Sequence, residues 1–166
     1  MTTISLRADC ANCSALCCMA LAFDRSSLFA IDKPAGEPCP NLDACGQCRV
    51  HDQRADLGFG GCIAFDCRGA GQRATDLFRA EGGWMKNPAL IGPISRVFSD
   101  LLRVHDYLSL LEQVEAFDLS PGERDTLAEL RMVLERDDAS HAEVKAAQGQ
   151  IDTFLKSLRS HVEAKR

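Results

Sequence analysis

The sequence predicts a mainly α-helical protein: a small, irregular, cysteine-rich metal-binding half with a short strand or two, followed by a three-helix antiparallel bundle. Three observations carry this prediction. All nine cysteines lie between Cys10 and Cys67, a local density above the ~8–10% that marks a stapled or metal-bound fold. Ten of the twelve glycines precede residue 93, so the first half is rich in loops. Beyond it, apolar residues recur at intervals of three and four, the spacing of a helix with one buried stripe. The boundary is expected at Gly92-Pro93, giving a cysteine-rich region over 1–92 and a bundle over 93–166.

Composition narrows the function. The 166 residues are 46% hydrophobic and 26% charged with a net charge of −5, a globular balance rather than a disordered one. Neither half carries the basic excess that coats a phosphate backbone, so nucleic acid is not an expected partner. The longest apolar run, Ala15 to Phe23, is half of the ~18 residues a membrane helix requires. Arg7 followed by this run does not make an export signal, because Asp9 and two cysteines interrupt it. The chain therefore reads as cytoplasmic, where thiols stay reduced. An odd number of cysteines also fits a disulfide framework poorly. Metal ligation is the reading these facts favour.

The cysteines fall in three clusters. The first is Cys10-Ala-Asn-Cys13-Ser-Ala-Leu-Cys17-Cys18. If residues 10–23 are helical, Cys10, Cys13 and Cys17 fall within about 60° of one another on one face, and Cys18 turns away from them. One helix face cannot surround an ion, so later cysteines must close the cage. The second cluster holds Cys39 and then Cys45-Gly-Gln-Cys48-Arg-Val-His51, where C-x2-C is a knuckle spacing that turns two thiolates toward one ion. His51 is a weaker candidate, since a histidine beside Asp52 is as readily a solvated surface residue. The third is Gly60-Gly61-Cys62-Ile-Ala-Phe-Asp-Cys67, whose alternation suggests a short strand bent by its glycines.

These motifs, in this order across about 60 residues, resemble the CxxCxxCC family of zinc- or iron-chelating proteins. The segments Phe29-Ala-Ile-Asp-Lys-Pro-Ala-Gly-Glu-Pro-Cys39-Pro-Asn-Leu42 and Asp66-Cys67-Arg-Gly-Ala-Gly-Gln72 are similar to the version that forms the cysteine-rich N-terminal region of bacterial pentapeptide-repeat proteins. No pentapeptide repeat follows here. The resemblance implies metal chelation through Cys10, Cys13, Cys17, Cys18, Cys39, Cys48, Cys62 and Cys67, and it leaves Cys45 without a counterpart. The metal it implies is zinc or iron. Thiolates of this kind serve a structural zinc ion that supplies folding free energy, an iron–sulfur cluster that carries an electron, or a thiol switch that releases zinc on oxidation.

The remaining elements follow in order. Gly69-Ala-Gly71 lacks both the Rossmann fingerprint and the Walker lysine, so its glycines are expected to serve a turn. Trp84 is expected to pack between the halves. Ile94, Val97, Phe98, Leu101, Leu102, His105, Leu108, Leu111 and Val114 form one stripe on a helix from about Ser95 to Phe117, with His105 as a core histidine. Ser120-Pro121-Gly-Glu123 is a capping box with proline in the first turn; it opens a helix that turns Leu127, Leu130, Val133 and Leu134 inward and ends near Asp137-Asp138. Ser140-His-Ala-Glu143 repeats the box, and Val144, Ala147, Ile151, Phe154, Leu155, Leu158 and Val162 give the third helix its stripe. Met19 and Met132 read as core filling. These helices suit a protein partner or a homodimer as well as a self-contained core. No catalytic triad, metalloprotease helix or paired carboxylates stand out by spacing, so the chain reads as a binding protein rather than an enzyme.

Overall fold

The structure is a computed structural model that describes residues 4–139, 141–159 and 161. It is mainly helical, with seven α-helices among the described residues. They are α1 (Leu16–Ala20), α2 (Gly60–Ala64), α3 (Ala70–Leu77), α4 (Gly83–Lys86), α5 (Ile91–Val114), α6 (Pro121–Glu135) and α7 (His141–Ser157). No helix among the described residues is long and apolar enough to cross a membrane. The chain divides into two compact units, Arg7–Leu102 and a second that begins at Arg103 and takes in the segment before Arg7. The division thus falls inside α5 rather than at Gly92-Pro93. Pro93 sits in the first turn of α5, where its missing N–H would have no helical partner anyway, so this dipeptide starts a helix instead of linking two regions.

The Arg7–Leu102 unit is built from short helices held by loops. Its core contains Leu16 and Met19 of α1, Phe59, Ala70 and Ala74 of α3, Trp84 of α4, and Ile94 and Phe98 of α5, all buried. Helices of four to eight residues are unstable alone in water, so tertiary bonds fix them. The Trp84 indole N–H donates to the Ser14 carbonyl at 2.6 Å, which ties α4 to the loop before α1. Two expected elements take another form. Residues 10–23 do not form one helix: Cys10–Asn12 is a single 3-10 turn, Cys13 is extended and Ala15 is left-handed at φ +55° before α1 begins. The strand expected at Gly60–Cys67 is the helix α2. Gly61 lies directly under the Phe29 ring, since a Cβ there would come within 2.2 Å of it, and Phe29 in turn stacks on Phe23 with centroids 4.4 Å apart. Among the described residues strand pairing is limited to the isolated bridges Phe23–Lys33 and Leu42–Cys48.

In the second unit the helical periodicity is realised. Val104, His105, Leu108, Leu111 and Val114 of α5 are buried, as are Leu127, Leu130 and Leu134 of α6 and Ala147, Ile151 and Phe154 of α7. Helices α6 and α7 pack against each other, and the Tyr107 hydroxyl of α5 donates to Asp152 of α7 at 3.2 Å. The Ser120 capping box is formed in both directions. The Ser120 amide and hydroxyl, together with His161, hold the Glu123 carboxyl down at about 2. Helix α6 ends at Glu135, slightly before Asp137-Asp138. The second capping box and the end of the last stripe rest on Ser140 and Val162, which lie outside the described residues. Met132 is corrected: it is 48% exposed on α6 and fills no core.

Candidate metal centre

The first cysteine stretch is sewn onto α3. The Asp9 carboxylate accepts from the Asn12 amide at 3.3 Å and from the Asn12 side chain at 2.7 Å, shaping the turn that carries Cys10. Gln72 of α3 accepts from the Asp9 amide at 3.2 Å and donates to the Arg7 carbonyl at 2.7 Å. One turn further along α3, Thr75 accepts from the Ser14 amide at 3.0 Å. Between these anchors, Cys13 lies over Gly71. A Cβ at Gly71 would stand 2.8 Å from the Cys13 Sγ and 3.6 Å from the Cys67 Sγ, so the bare glycine lets two thiols from distant stretches approach the helix together. Cys10, Cys13, Cys17 and Cys67 line one small cavity of about 20 Å³, room for a single water-sized occupant. The sequence placed Cys10, Cys13 and Cys17 on one helical face; the structure brings them together by a turn, an extended residue and a left-handed one.

Of the other cysteines, Cys39 is tied by its backbone to Cys18 of α1. The Cys39 amide donates to the Cys18 carbonyl at 2.9 Å, and the Leu42 amide donates to the Cys39 carbonyl at 3.0 Å. The Leu42–Cys48 bridge then returns the chain. Between them Asp43 closes a tight loop, its Oδ1 accepting from the Cys45 and Gln47 amides, each at 2.8 Å. That carboxylate shapes the C-x2-C knuckle, and Cys45 is left exposed on its outside. His51 is also turned outward, half exposed, with its Nδ1 3.1 Å from Asp52. Cys62 lies on α2, and Arg54 donates to its carbonyl at 3.4 Å.

The thiols influence one another electrostatically. Partial loss of water and then the neighbouring Cys17 and Cys67 push the Cys10 thiol up, although Cys10 is an exposed residue. Burial raises Cys13, opposed by hydrogen bonds from the Leu16 amide and the Thr75 hydroxyl that favour its thiolate. Cys17 is raised furthest, first by its contact with Cys18, whose Sγ lies 3.9 Å away, and then by burial. Burial also raises Cys62, followed by Cys17, Cys39 and Cys48, while Arg54 lowers it. All nine cysteines are free thiols. A cation that binds thiols crowded in this way displaces their protons, which pass to water.

Lys33 is the residue that sequence reasoning missed. It is 3% exposed, and its ammonium donates to the carbonyls of Met19 at 3.2 Å, Pro34 at 2.8 Å and Glu37 at 2.7 Å. Burial lowers its pKa, while Cys39, Cys18, Glu37 and Cys17 pull it back up. A buried lysine needs such compensation, and the three carbonyls supply it. The segment that carries the resemblance includes Lys33, but nothing in its spacing marks the lysine as a neighbour of the cysteines.

Among the described residues, no group of three or more His, Cys, Asp or Glu side chains is already set to hold a metal ion. The lining of the cavity is nonetheless rich in cysteine, with the bare Gly71 beside the sulfurs of Cys13 and Cys67. No family model matches the chain, and no solved structure matches it. Over 131 residues, 79% of the chain, it is 34% identical to the uncharacterized protein YybG of Bacillus subtilis strain 168. The chain spans 46% of that protein, about half the length of the curated relative it matches.

Proposed function

We propose that this protein binds zinc or iron through the thiolates of Cys10, Cys13, Cys17, Cys18, Cys39, Cys48, Cys62 and Cys67. The ion serves a structural or regulatory role without catalytic turnover, in a reducing, cytoplasmic setting. The observation that carries this reading is the presence of cysteines from three separate clusters within one unit, while Cys45 and His51 are turned outward. Soft thiolates select zinc, copper(I) or iron–sulfur centres over hard cations. Helices α5 to α7 complete a three-helix antiparallel bundle that offers a surface to a protein partner or a second copy. An iron–sulfur redox centre is the alternative, since the same thiolates ligate such clusters.

The experiment is purification without oxygen, followed by a visible spectrum and assay of zinc, iron, copper and sulfide per chain. A colourless protein carrying zinc, or one carrying iron without sulfide, supports the reading. Iron with matching sulfide and broad visible absorbance moves the protein to the redox alternative. A metal-free protein with few reactive thiols contradicts both.

A further inference from the structure

We propose that the eight thiolates form two separate four-sulfur sites, one made by Cys10, Cys13, Cys17 and Cys67 and the other by Cys18, Cys39, Cys48 and Cys62, each taking one divalent thiophilic ion such as zinc. The inference rests on the chelation reading and adds to it the number of ions and the ligands of each. Four cysteines line the small cavity above Gly71, and Cys18, Cys39, Cys48 and Cys62 do not. Backbone bonds join three of the second four: the Cys39 amide donates to the Cys18 carbonyl and Cys48 is returned by its bridge to Leu42, while Cys62 of α2 is the one remaining cysteine of the eight that does not line the cavity.

Cys17 and Cys18 are the junction. On a helix, successive residues diverge by about 100°, and with their sulfurs 3.9 Å apart Cys17 and Cys18 of α1 stand where two adjoining sites would meet. Cys17 lines the cavity, whereas the Cys18 carbonyl holds the Cys39 loop. Four thiolates complete the tetrahedral shell of a structural zinc site, so neither set needs a bridging sulfur, Cys45 or His51. Each ion displaces the protons of its four thiols to solvent. Gly71 belongs to the first site alone, because a Cβ there would stand 2.8 Å from the Cys13 Sγ.

The test uses metal-free full-length protein, refilled with zinc alone in the absence of oxygen. Native mass spectrometry counts the ions. Rapid alkylation of the half-loaded protein, with fragmentation to separate Cys17 from Cys18, shows which thiols are protected together. Two zinc ions at saturation are expected, with Cys10, Cys13, Cys17 and Cys67 protected as one block and Cys18, Cys39, Cys48 and Cys62 as another. Where loading is all-or-none, the Gly71→Ala chain decides: one zinc with Cys18, Cys39, Cys48 and Cys62 protected supports the division, and no zinc overturns it. One zinc at saturation of the unaltered chain, joint protection of Cys17 with Cys18 where loading is stepwise, or binding of iron only together with sulfide also overturns it. Failure of the unaltered chain to bind any metal overturns the chelation reading itself, a result distinct from all of these.

Discussion

Removing the metal should unfold the Arg7–Leu102 unit. Its helices α1 to α4 run from four to eight residues, too short to persist without tertiary support, and long loops join them. Structural zinc supplies an apparent ~10–16 kcal/mol in small zinc-dependent folds at neutral pH, more than the whole stability of many domains. Trp84 is the single tryptophan of the chain; it is 7% exposed and bonded to the Ser14 carbonyl, between Cys13 and Cys17. Its fluorescence therefore reports on this unit. Adding a strong chelator to the zinc protein should shift the emission to the red, and added zinc should restore it. Helices α6 and α7, which draw on their own buried stripes, should retain their circular dichroism. Emission unchanged by complete removal of metal would show that the unit folds without it.

The second large effect is expected at Lys33. In Lys33→Met the aliphatic stem is replaced at similar length, but the carbonyls of Met19, Pro34 and Glu37 lose their shared donor. A buried polar group left unsatisfied costs about 1–3 kcal/mol, and the bond to the Met19 carbonyl is buried while the other two are part-buried, so the variant should lose about 1–3 kcal/mol. Its effect extends to the proposed metal, because a positive charge beside Cys39, Cys18 and Cys17 is removed. The Trp84 midpoint in urea and the rate of zinc loss to a competing chelator should both respond. A midpoint within about 0.5 kcal/mol of the unaltered protein, the range of an ordinary surface substitution, would mean that Lys33 has no such role.

What the sequence revealed depended on how local the cause was. The Ser120 capping box and the stripes of α5, α6 and α7 are set by residues three and four apart, and they appear where the spacing puts them. The start of α5 was misplaced because Gly92-Pro93 serves equally as a linker or as a first turn. Helix α2 was legible only through Phe29, which lies over Gly61 from a distant stretch of chain, and alternation within Gly60–Cys67 carries no trace of that contact. The same limit applies to the cysteines. Their types and order point to thiolate chemistry, but their grouping follows from a left-handed Ala15, a bare Gly71 and the Gln72 and Thr75 anchors, none of which spacing encodes. C-x2-C spacing favoured Cys45, and only the carboxylate of Asp43 explains why it faces outward.

X-ray absorption at the metal edge of the anaerobically purified protein tests the central claim most directly, because it reads the atoms bound to the ion. A shell of four sulfurs at about 2.3 Å is expected for zinc. A shell of nitrogen and oxygen at about 2.0–2.2 Å would contradict it, because the ion would then be held by groups other than the gathered cysteines.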